Sequence, residues 1–372
     1  MGEGLLALPA FLIWLGIILL PWRPWSTRES LDADPALTPD LSRVSVLIPA
    51  RNEQEVIANT LTALYKQGNN LKIILIDDQS SDETVTIIKG LALQNLQIIN
   101  GQTVPKDWSG KLWALEQGLS HIDTEFILLL DADIQLQLGT VASLLVKLEQ
   151  EQLHLVSLMA LLRMHSFWEK LLMPAFIYFF KLLYPFRLSN SSSRWTAAAA
   201  GGCILMRKSA LESIGGFQAV KDSLIDDCAL ARKIKNNGGK IWIGLTHSAL
   251  SLRSYENLET IWNMVARTAF TQLRYSVTLL IMCTLLMFIA FVSPFIALLS
   301  PVIWAKALAL ITLIFMFISY LPTLKYYSLN YLWGCCLPFI AMLYLAMTWV
   351  SAYRHLFGSG SSWKDRSYPA SG

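Results

Sequence analysis

Hydrophobic and polar positions along this chain follow two different rhythms. The ends are dominated by long uncharged runs: Leu5–Trp22 near the start, then Val277–Ser300, Ala307–Leu324 and Tyr326–Tyr353. Roughly 20 apolar residues carry a helix across the hydrocarbon core of a bilayer. These runs therefore predict transmembrane helices at both ends, within 1–25 and 277–353, the first and third near the minimum length. Trp22, Trp304, Trp333, Trp349 and Tyr353 stand near the span ends, where aromatic belts form. A cleaved leader is the other reading of the first run. It lacks a basic start in Met1–Gly4, and Pro21-Trp22-Arg23-Pro24-Trp25 is no small-residue cleavage site. Arg23 and Arg28 follow the run, which by the positive-inside rule sends the next segment into the cytosol. The same rule conflicts with three C-terminal crossings. These leave Arg354, Lys364 and Arg366, in the tail 354–372, on the far side.

The middle of the chain has the shorter periods of an α/β domain, predicted over 44–255 after a polar, Pro-containing linker at 26–43. Val44–Ile48, Lys72–Ile76, Leu96–Ile99 and Phe126–Leu130 read as buried strands. Glu53–Lys66, the segment from Ser81-Asp82 to Leu93, and Leu112–His121 read as the intervening helices. Alternation of this kind implies a Rossmann-like, mostly parallel sheet with its ligands at the carboxyl ends of the strands. Two stretches combine apolar faces with charges and read as helices in the membrane interface. The first, 166–187, is expected as a helix pair, with a buried core helix as the other reading; the second is 256–276.

Composition sharpens this only in part. Charged residues are 15% of the chain, well below a soluble domain's roughly one quarter, which agrees with membrane helices. A net charge of +3 gives no reason to expect nucleic acid as a partner. Five cysteines without a Cys-x-x-Cys pair indicate neither a zinc site nor a disulfide framework.

Each early strand delivers polar groups at its carboxyl end: Arg51, Asn52 and Glu53, then Asp77 and Asp78, then Asp131 and Asp133. Two carboxylates at i and i+2 just past a buried strand suit a hard divalent cation, Mg²⁺ or Mn²⁺, that leaves positions open for phosphate. Asp-x-Asp is common by chance, and its place after Phe126–Leu130 is what gives it weight. Asp78 suits a hydrogen bond from a base or ribose; helix capping is already available from Asp82. Asp226 and Asp227 open a helix, where the dipole favours acids; there a carboxylate can also act as a general base. Lys111 at another helix start can meet a phosphate, although a surface lysine would look the same. Ala197–Ala200 with Gly201 and Gly202 permits close approach, either of an acceptor or of packed backbone.

In order and spacing, the residues resemble the family 2 glycosyltransferases of GT-A fold. The matching marks are Val46-Leu47-Ile48-Pro49-Ala50-Arg51-Asn52-Glu53, Asp77-Asp78-Gln79-Ser80-Ser81-Asp82, Gly110-Lys111, Asp131-Ala132-Asp133, Gly215-Gly216-Phe217 and Ile225-Asp226-Asp227. Within that family, Gly110–Ala114, Val156–Met159, Ala197–Gly202, Ile225–Arg232 and Ala266–Tyr275 resemble the bacterial hopene-associated glycosyltransferases. The resemblance implies a nucleotide-sugar donor bound by Ala50, Glu53, Asp78, Lys111, Asp131 and Asp133. It implies a divalent metal on Asp133 and Asp131, and Asp227 as the base of an inverting displacement. It places Gly201, Gly202, Asp226, Gln272 and Arg274 toward the acceptor or membrane side, and implies a lipid acceptor, a hopanoid hydroxyl among the candidates. Asp226 stands where the family usually has Glu. Gln272-Leu273-Arg274-Tyr275 departs from the Gln-x-x-Arg-Trp of processive relatives, so transfer of a single sugar is expected. Two other readings remain: a transferase acting on polyprenyl phosphate, and a membrane scaffold with a degenerate nucleotide pocket. The first needs a basic cluster, for which Arg187, Arg194, Arg207 and Lys208 are the candidates.

Overall fold

The computed structural model describes residues 7–68, 70–358, 361–363 and 366–368. Leu5, Leu6 and Lys364, used above for a span and for the charge rule, lie outside the described residues. The chain forms two compact units. One takes 29–163 and 186–254; the other takes the N-terminal helix, 164–185 and the described residues from 255 onward. The sequence pattern placed 166–187 inside a block running from 44 to 255; residues 166–185 cluster instead with the helices, while Phe186 and Arg187 stay with the sheet unit.

The first unit is built on an eight-stranded sheet of order β3-β2-β1-β4-β7-β6-β8-β5. The strands are β1 Val44–Ala50, β2 Lys72–Asp77, β3 Leu96–Asn100, β4 Phe126–Leu130, β5 Ile134–Leu136, β6 Leu155–Leu161, β7 Cys203–Arg207 and β8 Ile241–Ser251. β1 and β4 are buried along their whole length, as continuous apolar runs must be when both sheet faces are covered. Alternate side chains serve different layers. Val46, Ile48, Ile73, Leu75 and Leu128 join one core with helices Ile57–Tyr65 and Thr140–Gln150. Leu47, Ile74, Ile76, Ile127 and Leu129 join the other with helices Gly110–Leu119 and Asp226–Asn236.

The expected parallel order holds for β3-β2-β1-β4. Beyond β4 the sheet is mixed: β7 is antiparallel to β4 and β6, β6 is parallel to β8, and β5 is antiparallel to β8. The reason is that the chain re-enters the sheet at the carboxyl end of β4, where Leu130 pairs with Cys203, and β7 must run back from there.

The expected linker is pinned to the domain rather than loose. Ser30 bridges Leu245, and Leu31 N–H donates to Leu245 O at 2.9 Å. Ala33 N–H donates to Ser248 Oγ at 2.8 Å, and Asp32 takes the N–H of His247 at 2.6 Å. The strap passes so close to Gly139 (φ +89°) that a Cβ there would stand 2.7 Å from the carbonyl carbon of Asp34. Gly139→Ala should therefore destabilise the protein by about 2–4 kcal/mol, combining left-handed strain with overpacking. Denaturant unfolding followed by tryptophan fluorescence checks this.

The second unit is helical. Three of its helices, Val277–Leu298, Ile303–Tyr326 and Tyr331–Phe357, have 22, 24 and 27 residues. At 1.5 Å per residue each is long enough for a hydrocarbon core of about 30 Å. Their outward side chains include Ile281, Leu285, Leu310, Ile314 and Phe339, all exposed apolar groups of the kind lipid covers. The described N-terminal helix, Ala7–Leu19, is shorter at 13 residues. It packs within the unit through Trp14 Nε1, which donates to Ala290 O at 2.9 Å.

The stretch expected as an interfacial helix pair is one 17-residue helix, Phe167–Leu183, followed by a four-residue turn of helix in the other unit. Ser166 and Glu169 form a capping box at its start. Its charges are satisfied inside the unit: Glu169 accepts from His165 N, Ser166 N and Tyr255 N, and Lys181 donates to Ser26 O. The helix Leu258–Gln272 buries Ile261, Val265, Ala266 and Phe270.

Candidate active site

Parallel register sets the site. Ala50 at the end of β1 pairs with Asp77 at the end of β2, and Asp78 N–H donates to Ala50 O at 2.8 Å. The two loops that follow cap each other. Asn52 N and Gln54 N donate to Ser80 Oγ and Asp82 Oδ2, while Asn52 Oδ1 and Gln54 Oε1 accept from Ser81 N and Glu83 N. Glu53 N donates to Thr84 Oγ1 at 2.8 Å. Asn52, which makes two of these bonds, has φ 51°, and Gln79 in the facing loop has φ 59°. The result is a fixed shelf carrying Asp78, whose residue is only 1% exposed.

After β4 the Asp131-Ala132-Asp133 turn is held on three sides. Asp131 N donates to Gly202 O, Thr60 Oγ1 to Ala132 O, and Leu252 N to Asp133 O. Ala132 is buried at 2% exposure and Asp133 at 9%.

Two cations divide these carboxylates between them. Lys111 Nζ stands 2.7 Å from Asp131 Oδ1 and 3.7 Å from Asp226 Oδ2. Arg253 places Nε 2.9 Å from Asp133 Oδ2 and Nη2 3.1 Å from Glu53 Oε1. A single pocket is lined by Lys111, Asp131, Gly201, Asp226 and Asp227 above an apolar floor that includes Leu129 and Phe217. Gly201 matters by its missing side chain: a Cβ there would lie 3.3 Å from both Asp227 Oδ2 and Lys111 Nζ.

The electrostatics follow from that crowding. Burial works against the Lys111 ammonium, but Asp131, Asp226 and Asp227 outweigh it and hold its pKa above the ordinary lysine value. Burial raises Asp131 despite Lys111, with the Asp133 charge adding to the rise. Burial and the adjacent Asp226 charge push the Asp227 carboxyl up to about 7, even though Cys228 N–H donates to its Oδ1 at 2.7 Å.

Among the described residues no three His, Cys, Asp or Glu side chains form a ready cation cage. A cation shared with a diphosphate needs only one or two carboxylates, the rest being phosphate oxygens and water. Asp131 and Asp133 supply oxygen donors two residues apart, each already facing a positive charge. The donor set fits Mg²⁺ or Mn²⁺ arriving with a diphosphate.

The remaining expected residues are dispersed. Ala197–Ala200 are buried, and Ser157 Oγ bonds both the N–H and the carbonyl of Ala200, which is the close-packing role. Gly202 packs toward Ile134. Gln272 and Arg274 belong to the helical unit, where Tyr184 Oη donates to Gln272 Oε1 at 2.7 Å. Arg207, one candidate for a basic cluster, pairs with Phe126 at the opposite end of β4 and binds Glu125. Arg253 was not singled out from the sequence. It reaches Asp133 only because β8 pairs antiparallel with β5, with Ser251 opposite Ile134.

A sheet that gathers carboxylates from several strand ends beside one apolar-floored pocket defines an α/β fold with its candidate site at the strand ends. More narrowly, residues 45–215 match the sequence profile of Glycosyl transferase family 2, and the sheet has a GT-A-like fold. Probable glycosyltransferase YdaM of Bacillus subtilis is 29% identical over 205 residues, 54% of this chain and 48% of the relative. The 4,4'-diaponeurosporenoate glycosyltransferase of Staphylococcus haemolyticus is 32% identical over 96 residues, 25% of this chain and 24% of the relative. The undecaprenyl-phosphate 4-deoxy-4-formamido-L-arabinose transferase of Shewanella sediminis is 31% identical over 111 residues, 29% and 33% respectively. The chain thus spans less than half the length of these curated relatives. A mannosyltransferase from Pyrobaculum calidifontis, solved with GDP-Man and Mn²⁺, aligns over 95% of this chain and 99% of its own, with TM-score 0.57 and 19% identity. Likeness at that identity shows the fold alone.

Proposed function

We propose that the protein is a membrane-bound inverting glycosyltransferase that moves one sugar from a UDP-sugar to a hydroxyl of a lipid. The observation that carries this is Asp227. It is a carboxyl with a pKa near 7 at a helix start, in the same pocket as Lys111 and Asp131. A base poised near neutrality takes a proton most effectively at working pH.

In this reading Asp78 accepts a hydrogen bond from the nucleobase, on the shelf beside Ala50. Lys111 faces the diphosphate. Asp131 and Asp133 hold the divalent cation, which when bound supplies charge neutralisation for the departing diphosphate. Asp227 takes the acceptor's hydroxyl proton. The acceptor oxygen forms its bond to the anomeric carbon from the face opposite the diphosphate, whose oxygen leaves with the bond pair. The anomeric configuration inverts.

A hydroxyl acceptor is preferred over a phosphate because a lipid phosphate is already ionised and needs no base. The relatives' names fit acceptors of lipid character, and the sequence resemblance to hopene-associated enzymes points to a hopanoid or related isoprenoid hydroxyl. The three long apolar helices fit a multi-pass protein, and Arg23 and Arg28 support a cytosolic domain at the inner membrane.

A donor screen tests the reading. Detergent-purified protein is incubated with UDP- and GDP-sugars and Mn²⁺, and nucleotide release is followed with and without extracted lipid. Release from a UDP-sugar, faster with lipid, is expected. No binding or release with any donor would favour the scaffold reading.

A further inference from the structure

We infer that Arg253 is a place-holding cation that gives up Asp133 to the divalent metal and turns to the donor's diphosphate. This inference rests on the proposed function and adds a residue that the reading above leaves unassigned.

The observation is a bridge between two functional carboxylates. Arg253 donates through Nε to Asp133 at 2.9 Å and through Nη2 to Glu53 at 3.1 Å, using two arms of one guanidinium. The two acids come from distant parts of the chain, the β1 loop and the turn after β4. Their carboxylate sides are well covered, at 13% exposure for Asp133 and 12% for Glu53, while Arg253 keeps 38%. So the acids are fixed and the cation is the part open to solvent. Lys111 does the same for Asp131 and Asp226. Each carboxylate of the Asp131-Ala132-Asp133 turn therefore has its own organic cation.

A divalent ion on Asp133 changes that balance. It places a double positive charge beside a guanidinium 2.9 Å from the same carboxylate, and like charges at such range repel. Arg253 must then weaken its hold on Asp133. The diphosphate that comes with the metal offers what a guanidinium fork binds best, paired anionic oxygens. Glu53 remains as the anchor that keeps the freed arm within reach. Before the donor arrives the guanidinium competes with free metal; afterwards it adds to donor affinity. That ordering favours the metal–nucleotide complex over bare metal.

A simple ionic staple between β8 and the β1 loop would have the same contacts but a different response. Calorimetry separates them. Wild-type, Arg253→Gln and Arg253→Lys proteins in detergent are titrated with Mn²⁺ alone, then with UDP at saturating Mn²⁺. Arg253→Gln is expected to bind Mn²⁺ alone about three- to tenfold more tightly, because a competing charge is gone. It is expected to bind UDP with Mn²⁺ about tenfold more weakly, because a charge-assisted contact to phosphate is lost. Arg253→Lys keeps the charge without the fork, so its free-metal affinity should stay near wild type and its UDP affinity should fall. If Arg253→Gln does not fold, Arg253→Lys carries the test through its UDP affinity. Mn²⁺ affinity unchanged or weakened in Arg253→Gln, or UDP affinity unchanged in Arg253→Lys, overturns the inference. Wild-type protein that binds no UDP even with Mn²⁺ overturns the proposed function itself, and the inference with it.

Discussion

Asp227→Asn is expected to lower turnover by about 10² to 10⁴-fold, the usual contribution of a general base, while making the protein more stable at pH 8. The two effects share a cause. Burial and Asp226 raise the native carboxyl from 3.8 to about 7. Between those values the native state holds a proton that the unfolded chain has already lost. Stability therefore falls as pH rises from about 4 to 7 and stays lowered above that range. The neutral amide removes this penalty. Thermal unfolding across pH 3 to 8 should show the variant gaining most over wild type at pH 8, about a third as much at pH 5, and little near pH 3. The wild-type kcat/KM should rise through pH 7 as the base ionises. Asp226→Asn, which removes the adjacent charge, should shift that rise to lower pH. A variant of Asp227 with near-normal turnover contradicts the base assignment.

Asp133→Ala is expected to lower turnover by about a thousandfold, since a metal's charge stabilisation is worth several kcal/mol. It also leaves Arg253 and Glu53 facing each other without the third group. Metal-dependent UDP binding should be lost, which calorimetry at fixed Mn²⁺ reads directly. Asp133→Asn keeps the shape and serves as the folding control: it should unfold near the wild-type temperature and still fail to bind UDP with Mn²⁺. Asp133→Ala protein that binds the nucleotide normally would place the metal elsewhere.

What the sequence made legible was local. Apolar runs such as Val44–Ile48 and Phe126–Leu130 named the strands, and the acids at their ends marked where a ligand belongs. The second helix runs Thr84–Gly90, with Asp82 accepting from Thr84 N as the expected cap, and it ends short of the expected Leu93. What was not legible depends on long-range pairing. Arg253 looks like any arginine after a strand until β8 meets β5 and brings it to Asp133. The segment 26–43 has a linker's composition, yet its backbone finds partners on β8 more than 200 residues away. Glu169 and Lys181 break an apolar run in the sequence, but in space each has backbone partners that make burial tolerable. In such cases the pattern shows which residues are polar, and only the fold shows what they bond.

The central claim is that a sugar passes from a nucleotide to a lipid with Asp227 as the base. The most direct test follows a radiolabelled sugar from its UDP donor in the presence of Mn²⁺ and extracted lipid. Label is expected to enter the organic phase in a single-sugar product of inverted anomeric configuration, and Asp227→Asn should abolish most of that transfer. Label that stays in water while nucleotide is released, or a product of retained configuration, would contradict the account.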